Sequence, residues 1–210
     1  MNIAFLPKRH QISAGYSLAL LLTITLAALV GVTSSAQSIV TPPVGIENFG
    51  KVNENYYRGS QPTAEEFTGL KRLGVKTVID LRKDSIDQAP AWARAAGLEY
   101  INIPLTTKKA ATVEQTAYFL KLVNDPANWP VFVHCKGGRH RTGQMSAIYR
   151  ITHDGWTADQ AYAEMKKYDF KDSWFYPRPL KKYVFSYYKE FTSSRTSDAP
   201  ADGKASATIP

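Results

Sequence analysis

Apolar positions along the chain fall into two alternating patterns. Short runs rich in β-branched residues predict strands, and stretches with apolar residues three and four apart predict helices. Val52–Arg58 predicts a short strand entering the turn Gly59-Ser60-Gln61-Pro62. Thr63 then caps a helix with Glu65 and Glu66 in its first turn, Phe67, Leu70 and Leu73 at helical spacing, and Gly74 as its stop. Val75–Leu81 predicts a strand, Gln88–Ala96 a helix halted by Gly97, and Leu98–Ile103 a strand closed by Pro104. Thr112 with Gln115 and Thr157 with Gln160 have capping-box spacing, opening helices that run to about Asn124 and Tyr168. Val131–Val133 predicts a buried strand, Thr142–His153 a helix, and Pro179–Phe191 a last helix. The aromatic residues Trp174, Phe175, Tyr176, Tyr183, Phe185, Tyr187 and Tyr188 are expected to pack that helix.

Strands alternating with helices predict an α/β domain over residues 46–192, with a central, mostly parallel sheet flanked by helices. Residues 37–45, with Thr41-Pro42-Pro43, read as a linker. Residues 193–210 are rich in Ser, Thr, Ala, Pro and Asp and are expected to be disordered. No internal repeat is visible.

Charge narrows the partners. The chain has 26 Lys and Arg against 18 Asp and Glu, a formal net charge of +8. Setting aside Lys8 and Arg9, the only charges in residues 1–36, leaves 24 basic and 18 acidic residues, or +6. The globular part is therefore basic in its own right, which favours anionic partners.

The N-terminus has the form of an export signal. Lys8, Arg9 and His10 precede an uncharged, Leu-rich run from Ala14 to Val32, and Ser34-Ser35-Ala36 provides small residues for cleavage after Ala36. The alternative is an uncleaved anchor spanning a membrane through residues 14–32. Either form is expected to place the domain outside the cytoplasm, secreted, periplasmic or tethered. Cys135 is the single cysteine, so no intramolecular disulfide forms, and no lipid-modified cysteine follows the apolar run.

That cysteine sits in His134-Cys135-Lys136-Gly137-Gly138-Arg139-His140-Arg141-Thr142-Gly143, between a predicted strand and a predicted helix. Ligands of open α/β sheets bind at such carboxyl ends of strands. Two glycines let the backbone curl and turn several N–H groups inward, making an anion nest, and the helix N-terminus adds its positive end. Arg141 supplies a fork for two phosphate oxygens. The same field favours a Cys135 thiolate, a nucleophile for attack on phosphorus. Thr142 is placed to bond the sulfur as it leaves, and His134 to support the loop by hydrogen bonds. A lone thiol without a resolving partner is also expected to oxidise with poor reversibility.

His134-Cys135, five residues, then Arg141-Thr142 resembles the signature loop of cysteine-dependent protein tyrosine and dual-specificity phosphatases. Tyr57-Arg58-Gly59-Ser60-Gln61-Pro62, Phe67, Leu70–Gly74 and Val78-Ile79-Asp80-Leu81-Arg82 are similar to the N-terminal half of small atypical members from plants and fungi, and their bacterial relatives. The resemblance covers about residues 46–190. It implies the compact cysteine-phosphatase fold, no metal and no organic cofactor. It also implies Cys135 as nucleophile, Arg141 as phosphate clamp, and Lys136, Gly137, Gly138, Arg139 and His140 as the loop lining the site. A rhodanese loop is disfavoured, having four residues between Cys and Arg. A low-molecular-weight phosphatase carries its loop near the N-terminus, unlike this chain.

One family feature is missing. The general acid is usually an Asp on the loop after the strand before the long helix, but residues 104–112 contain no carboxylate and two lysines, Lys108 and Lys109. Asp84, Asp87, Glu114 and Asp172 are the substitutes to consider. Without an acid, substrates with weakly basic leaving groups are favoured, such as aryl phosphates and phosphoanhydrides. Lys108, Lys109, Lys136, Arg139 and His140 suit a highly anionic substrate, and the resembled group includes inositol pyrophosphate phosphatases. Arg58 and Gln61 either border the site or fix the turn. The expected activity is hydrolysis of phosphotyrosine-like esters or inositol polyphosphates through a cysteinyl-phosphate. The alternative is a phosphate-binding module without turnover. Nucleic acid is not an expected partner, because aromatic and basic residues do not interleave along any strand.

Overall fold

The computed structural model describes residues 45–172 and 178–197. The expectations for the export signal, for the linker up to residue 44, for Trp174, Phe175 and Tyr176, and for residues 198–210 concern positions outside these.

Five strands form one sheet: β1 Gly50–Asn53, β2 Tyr56–Gly59, β3 Thr77–Arg82, β4 Glu99–Leu105 and β5 Val131–His134, in the order β1-β2-β5-β3-β4. β2, β5, β3 and β4 are mutually parallel, and only β1 pairs antiparallel, with β2. Among the described residues six α-helices flank it: α1 Ala64–Arg72, α2 Ala89–Ala95, α3 Val113–Asn124, α4 Arg141–His153, α5 Ala158–Lys167 and α6 Arg178–Ser197. The mostly parallel α/β architecture expected from the alternating pattern is the one observed. Thr63, Thr112 and Thr157 each complete a capping box, with Glu66, Gln115 and Gln160.

Three boundaries differ from the sequence expectation. The predicted strand Val52–Arg58 is a hairpin, because Asn53 Oδ1 accepts from the Asn55 N–H at 2.9 Å and folds the chain back on itself. β4 runs through Pro104 instead of ending before it. Its register with β3 slips between Asn102 and Leu105, so Pro104 lies at an irregularity of an edge strand, where a missing N–H is tolerated. α6 continues six residues past Phe191, so residues 193–197, expected to be disordered, are helical.

The sheet separates two apolar layers by the period-two rule of strands. Ile79, Leu81, Val131 and Val133 face Phe119 and Val123 of α3 and Met145 and Tyr149 of α4. Val78 and Phe132 face Phe67 and Leu70 of α1 and Ala89 and Ala93 of α2. β3 and β5 are buried on both faces, which explains their near-continuous apolar runs. Phe132 is fully buried, and burial of such a side chain is worth about 1.5–3 kcal/mol. The other side of α4 packs on α5 and α6 through Ala147, Ile148, Met165, Leu180 and Val184. Thus α4 is buried on both sides, and its first residue, Arg141, is fixed at the carboxyl ends of β5, β3 and β4.

Candidate active site

The turn from β5 into α4 is residues 135–140. Three of its carbonyl groups are held from outside. The Gln61 N–H donates to Lys136 O at 3.2 Å, Asn48 Nδ2 donates to Gly137 O at 2.8 Å, and Arg58 Nη2 donates to Gly138 O at 2.7 Å. In a planar trans peptide the C=O and the next N–H point in opposite directions. Tying these carbonyls outward therefore turns the N–H groups of Gly137, Gly138 and Arg139 inward. Gly138 is also the point of closest approach. Its φ is +66°, and a Cβ there would lie 2.6 Å from the Gly59 carbonyl carbon.

Arg58 is fully buried and lies 3.8 Å over the Tyr168 ring. Gln61 accepts from Arg82 Nη1 through Oε1. Arg82 is held in turn by Asp80, with Nη2 2.8 Å from Oδ2 and Nε 3.0 Å from Oδ1, and Tyr100 Oη donates to the same carboxylate at 2.7 Å. A chain of polar groups, buried at Asp80 and Arg82 and half-buried at its ends, thus runs from Tyr100 through Asp80, Arg82 and Gln61 to the Lys136 carbonyl. Burial pushes the Asp80 carboxyl up, but Arg82, His134 and Tyr100 together hold it below its ordinary value. Arg58 and Gln61 thus hold the turn from beneath. Sequence reasoning did not assign Asp80 and Arg82 a role. The available signal was two charged residues inside an otherwise apolar strand.

Cys135 is 3% exposed at the floor of this turn. Burial alone raises a thiol. The Thr142 hydroxyl and N–H, the Arg141 charge and the Gly138 N–H outweigh it, so the Cys135 thiol lies below its ordinary value. The buried Thr142 hydroxyl makes no hydrogen bond of full geometry, which leaves it available to the Cys135 sulfur. Neither ring nitrogen of His134 makes a hydrogen bond of full geometry; the Cys135 backbone is a weaker partner, and Nδ1 lies 3.9 Å from Asp80 Oδ1. Its ring stacks on Phe132 at 5.7 Å, and burial pushes its pKa down to about 4, so it is neutral at pH 7.

Arg141 is buried, and Nη1 donates to Leu105 O at 3.2 Å and to Asp84 Oδ1 at 2.9 Å. Two adjoining cavities meet at Arg141 and Thr107. One, of about 430 Å³, is lined by Cys135, Lys136, Gly137, Arg139, His140 and Glu47 besides. The other, of about 510 Å³, is lined by Lys83, Asp84, Leu105, Thr106 and Lys108. Arg139 turns partly away, bonded to Asp169 at 3.0 Å with Glu47 at 3.8 Å. His140 accepts from the Lys171 N–H at 3.4 Å and lies edge-on to Phe170. Lys109 lines neither cavity. Among the described residues, no group of three His, Cys, Asp or Glu is placed to hold a metal ion.

The four acid candidates separate clearly. Asp172 is fixed by Lys181 at 2.9 Å, Tyr162 Oη at 2.7 Å and Lys166 at 3.4 Å, which hold it well below the carboxylate range. Glu114 is exposed in the first turn of α3 and lowered by the Thr112 hydroxyl. Neither these nor Asp87 lines either cavity, and only Asp84 does.

A family model described as "DSP-PTPase phosphatase fused to NAD+ Kinase" matches residues 44–176. The chain belongs to the DSP-PTPase phosphatase family. The dual specificity protein phosphatase TpbA of Pseudomonas aeruginosa (strain UCBPP-PA14) is 33% identical over 125 residues, 60% of this chain and 56% of TpbA. The inositol diphosphatase SIW14 of Saccharomyces cerevisiae is 28% identical over 137 residues, 62% of this chain and 47% of SIW14. The chain thus matches about half the length of these relatives. The crystal structure of P. aeruginosa TpbA superposes with a TM-score of 0.57 at 30% identity, covering 67% of this chain and 84% of that one. The core catalytic domain of SIW14 shares the fold, with a TM-score of 0.60 at 22% identity, covering 72% and 94%. The DSP-PTPase phosphatase fold therefore accounts for the parallel sheet and for the turn between β5 and α4.

Proposed function

We propose that this DSP-PTPase family member hydrolyses phosphate monoesters through a cysteinyl-phosphate on Cys135. One observation carries the reading. The only thiol is buried, shifted toward thiolate by the Thr142 and Gly138 N–H groups among others, and floors a cavity also lined by Gly137, Arg139 and Arg141. Cys135 Sγ attacks phosphorus in line, and the bond to the leaving oxygen breaks. Arg141 and the N–H groups of the turn stabilise the equatorial oxygens. Water then attacks the phosphocysteine, and the Thr142 hydroxyl bonds the departing sulfur. Asp80, Arg82, Gln61 and Arg58 position the turn without touching substrate.

The substrate class is phosphotyrosine-like esters or inositol polyphosphates and pyrophosphates. Lys83, Lys108 and Lys136 support a polyanion, since they line the two cavities and none has an acidic partner within 4 Å among the described residues. Among relatives, a TpbA variant has been solved in complex with pTyr, and SIW14 is named an inositol diphosphatase. Export, with or without retention of an apolar anchor at residues 14–32, remains part of this reading on the strength of the N-terminal sequence.

The test is phosphate release from p-nitrophenyl phosphate, a phosphotyrosine peptide and inositol hexakisphosphate, with Cys135→Ser as control. Turnover of at least one, abolished by Cys135→Ser, is expected. Binding without turnover would make the chain a phosphate-binding module instead. Cleavage after Ala36 is read separately, from the N-terminal residue of the protein secreted by an expressing cell.

A further inference from the structure

A leaving oxygen departs as a strong base unless it is protonated, and the segment that usually carries the acid has no carboxylate here. A carboxylate reaches the site from another strand end. Asp84 follows β3 by two residues, and its Oδ1 accepts from Arg141 Nη1 at 2.9 Å. It lines the same cavity as Arg141, Leu105 and Thr107. Arg141 Nε, by contrast, is buried with no partner. The guanidinium thus keeps one donor unused and holds an internal carboxylate on another.

We propose that Asp84 is the proton donor to the leaving oxygen, armed when substrate phosphate displaces it from Arg141. This rests on the phosphatase reading above. Two cations act on Asp84 in the free protein, Arg141 from α4 and Arg82 from β3, and Lys83 and Lys108 line the same cavity. The Arg141 hydrogen bond contributes most and holds the carboxyl below its usual range. A phosphate dianion in the turn takes over that bond and places two negative charges nearby. Both changes favour the neutral acid.

The steps balance. Substrate dianion binds, Asp84 leaves Arg141, and its carboxylate takes one proton from solvent. Cys135 thiolate attacks phosphorus and the P–O bond breaks. The electron pair goes to the leaving oxygen, which takes the Asp84 proton and departs as the alcohol or phenol. Asp84, now a carboxylate, accepts a proton from the water that attacks the phosphocysteine. The P–S bond breaks and hydrogen phosphate forms. When phosphate leaves, Asp84 returns its proton to solvent and pairs with Arg141 again.

The experiment compares wild type, Asp84→Asn, Asp84→Glu and Cys135→Ser on p-nitrophenyl phosphate and on phenyl phosphate, whose leaving group is the stronger base. The Asp84 side chain is 67% exposed, so the variants are expected to fold, as a thermal melt verifies. Asp84→Asn is expected to lose about 10²–10⁴-fold in kcat/KM on phenyl phosphate and no more than about tenfold on p-nitrophenyl phosphate, because kcat/KM reports the reaction only up to P–O cleavage. The basic limb of its kcat profile should vanish, and Asp84→Glu should restore part of both. Equal changes in kcat/KM on the two substrates would overturn the proposal. So would a lower KM with unchanged leaving-group sensitivity, which would make Asp84 only a plug on Arg141. Wild type without turnover, or turnover surviving in Cys135→Ser, would instead sink the phosphatase reading together with this role.

Discussion

Alanine at Gly138 places a methyl group against the backbone at the end of β2. The added Cβ would lie 2.6 Å from the Gly59 carbonyl carbon, 2.7 Å from its oxygen and 2.8 Å from the Ser60 nitrogen. No side-chain rotation relieves contacts with main-chain atoms, so one of the two segments must move. The left-handed backbone, with φ at +66°, adds roughly 1–2 kcal/mol for a residue bearing a Cβ. Overpacking adds about 1–3 kcal/mol more. A total loss of about 2–5 kcal/mol corresponds, for a domain of this size, to a fall in Tm of roughly 4–20 °C. Movement of the turn also misdirects its inward N–H groups, and loss of one such donor typically costs about 10²–10³-fold in kcat. Gly137 is the internal control. A Cβ there meets only the flexible Arg139 side chain, at 3.5 Å and beyond. Gly137→Ala is expected to stay within about 1 kcal/mol of wild type. The assay is thermal unfolding of both variants by circular dichroism, alongside kcat on p-nitrophenyl phosphate. Tm values for the two variants within about 2 °C of each other would refute the close-approach explanation.

Iodoacetamide alkylation of Cys135 against pH should show a midpoint below that of an ordinary free thiol, and Thr142→Val should move it upward. A midpoint at or above about 8.5 in wild type would contradict the electrostatic reading of the turn. His134 binds a proton less readily folded, at about 4, than at its ordinary 6.5, so the unfolded chain holds more protons between these values. Stability should therefore fall as pH drops from about 6.5 toward about 4, with His134 contributing up to roughly 3 kcal/mol. His134→Phe, which keeps the stack on Phe132, should flatten the slope of urea midpoints across that window; an unchanged slope would assign the effect elsewhere. Asp80→Ala strands the Arg82 guanidinium at the sheet's carboxyl edge, and about 3–5 kcal/mol of stability should be lost in urea unfolding. Its activity should fall by the same factor on every substrate. A change in substrate preference would mean Asp80 does more than position the turn.

The sequence by itself determined the local elements and the reactive turn. Periodicity, capping boxes and stop glycines are short-range properties, so the helices and the parallel strands were legible within a few residues. So was the thiol among N–H donors and cations, because its parts lie within nine consecutive positions. The tertiary structure decided whatever depends on which segments meet. Pro104 stays in a strand because β4 is at the edge. Val52–Arg58 becomes a hairpin because an Asn side chain folds it back. Asp80 and Arg82 become supports of the turn because β3 lies beside β5, in register from Thr77 with Val131 to Asp80 with His134. Two neighbouring glycines, alike in the sequence, differ because only Gly138 lies against β2. Among four carboxylates equally plausible in one dimension, Asp84 alone reaches Arg141, across 57 positions of chain. Such pairings are contacts between strand ends, and strand order is fixed by burial of the whole sheet rather than by any local run of residues.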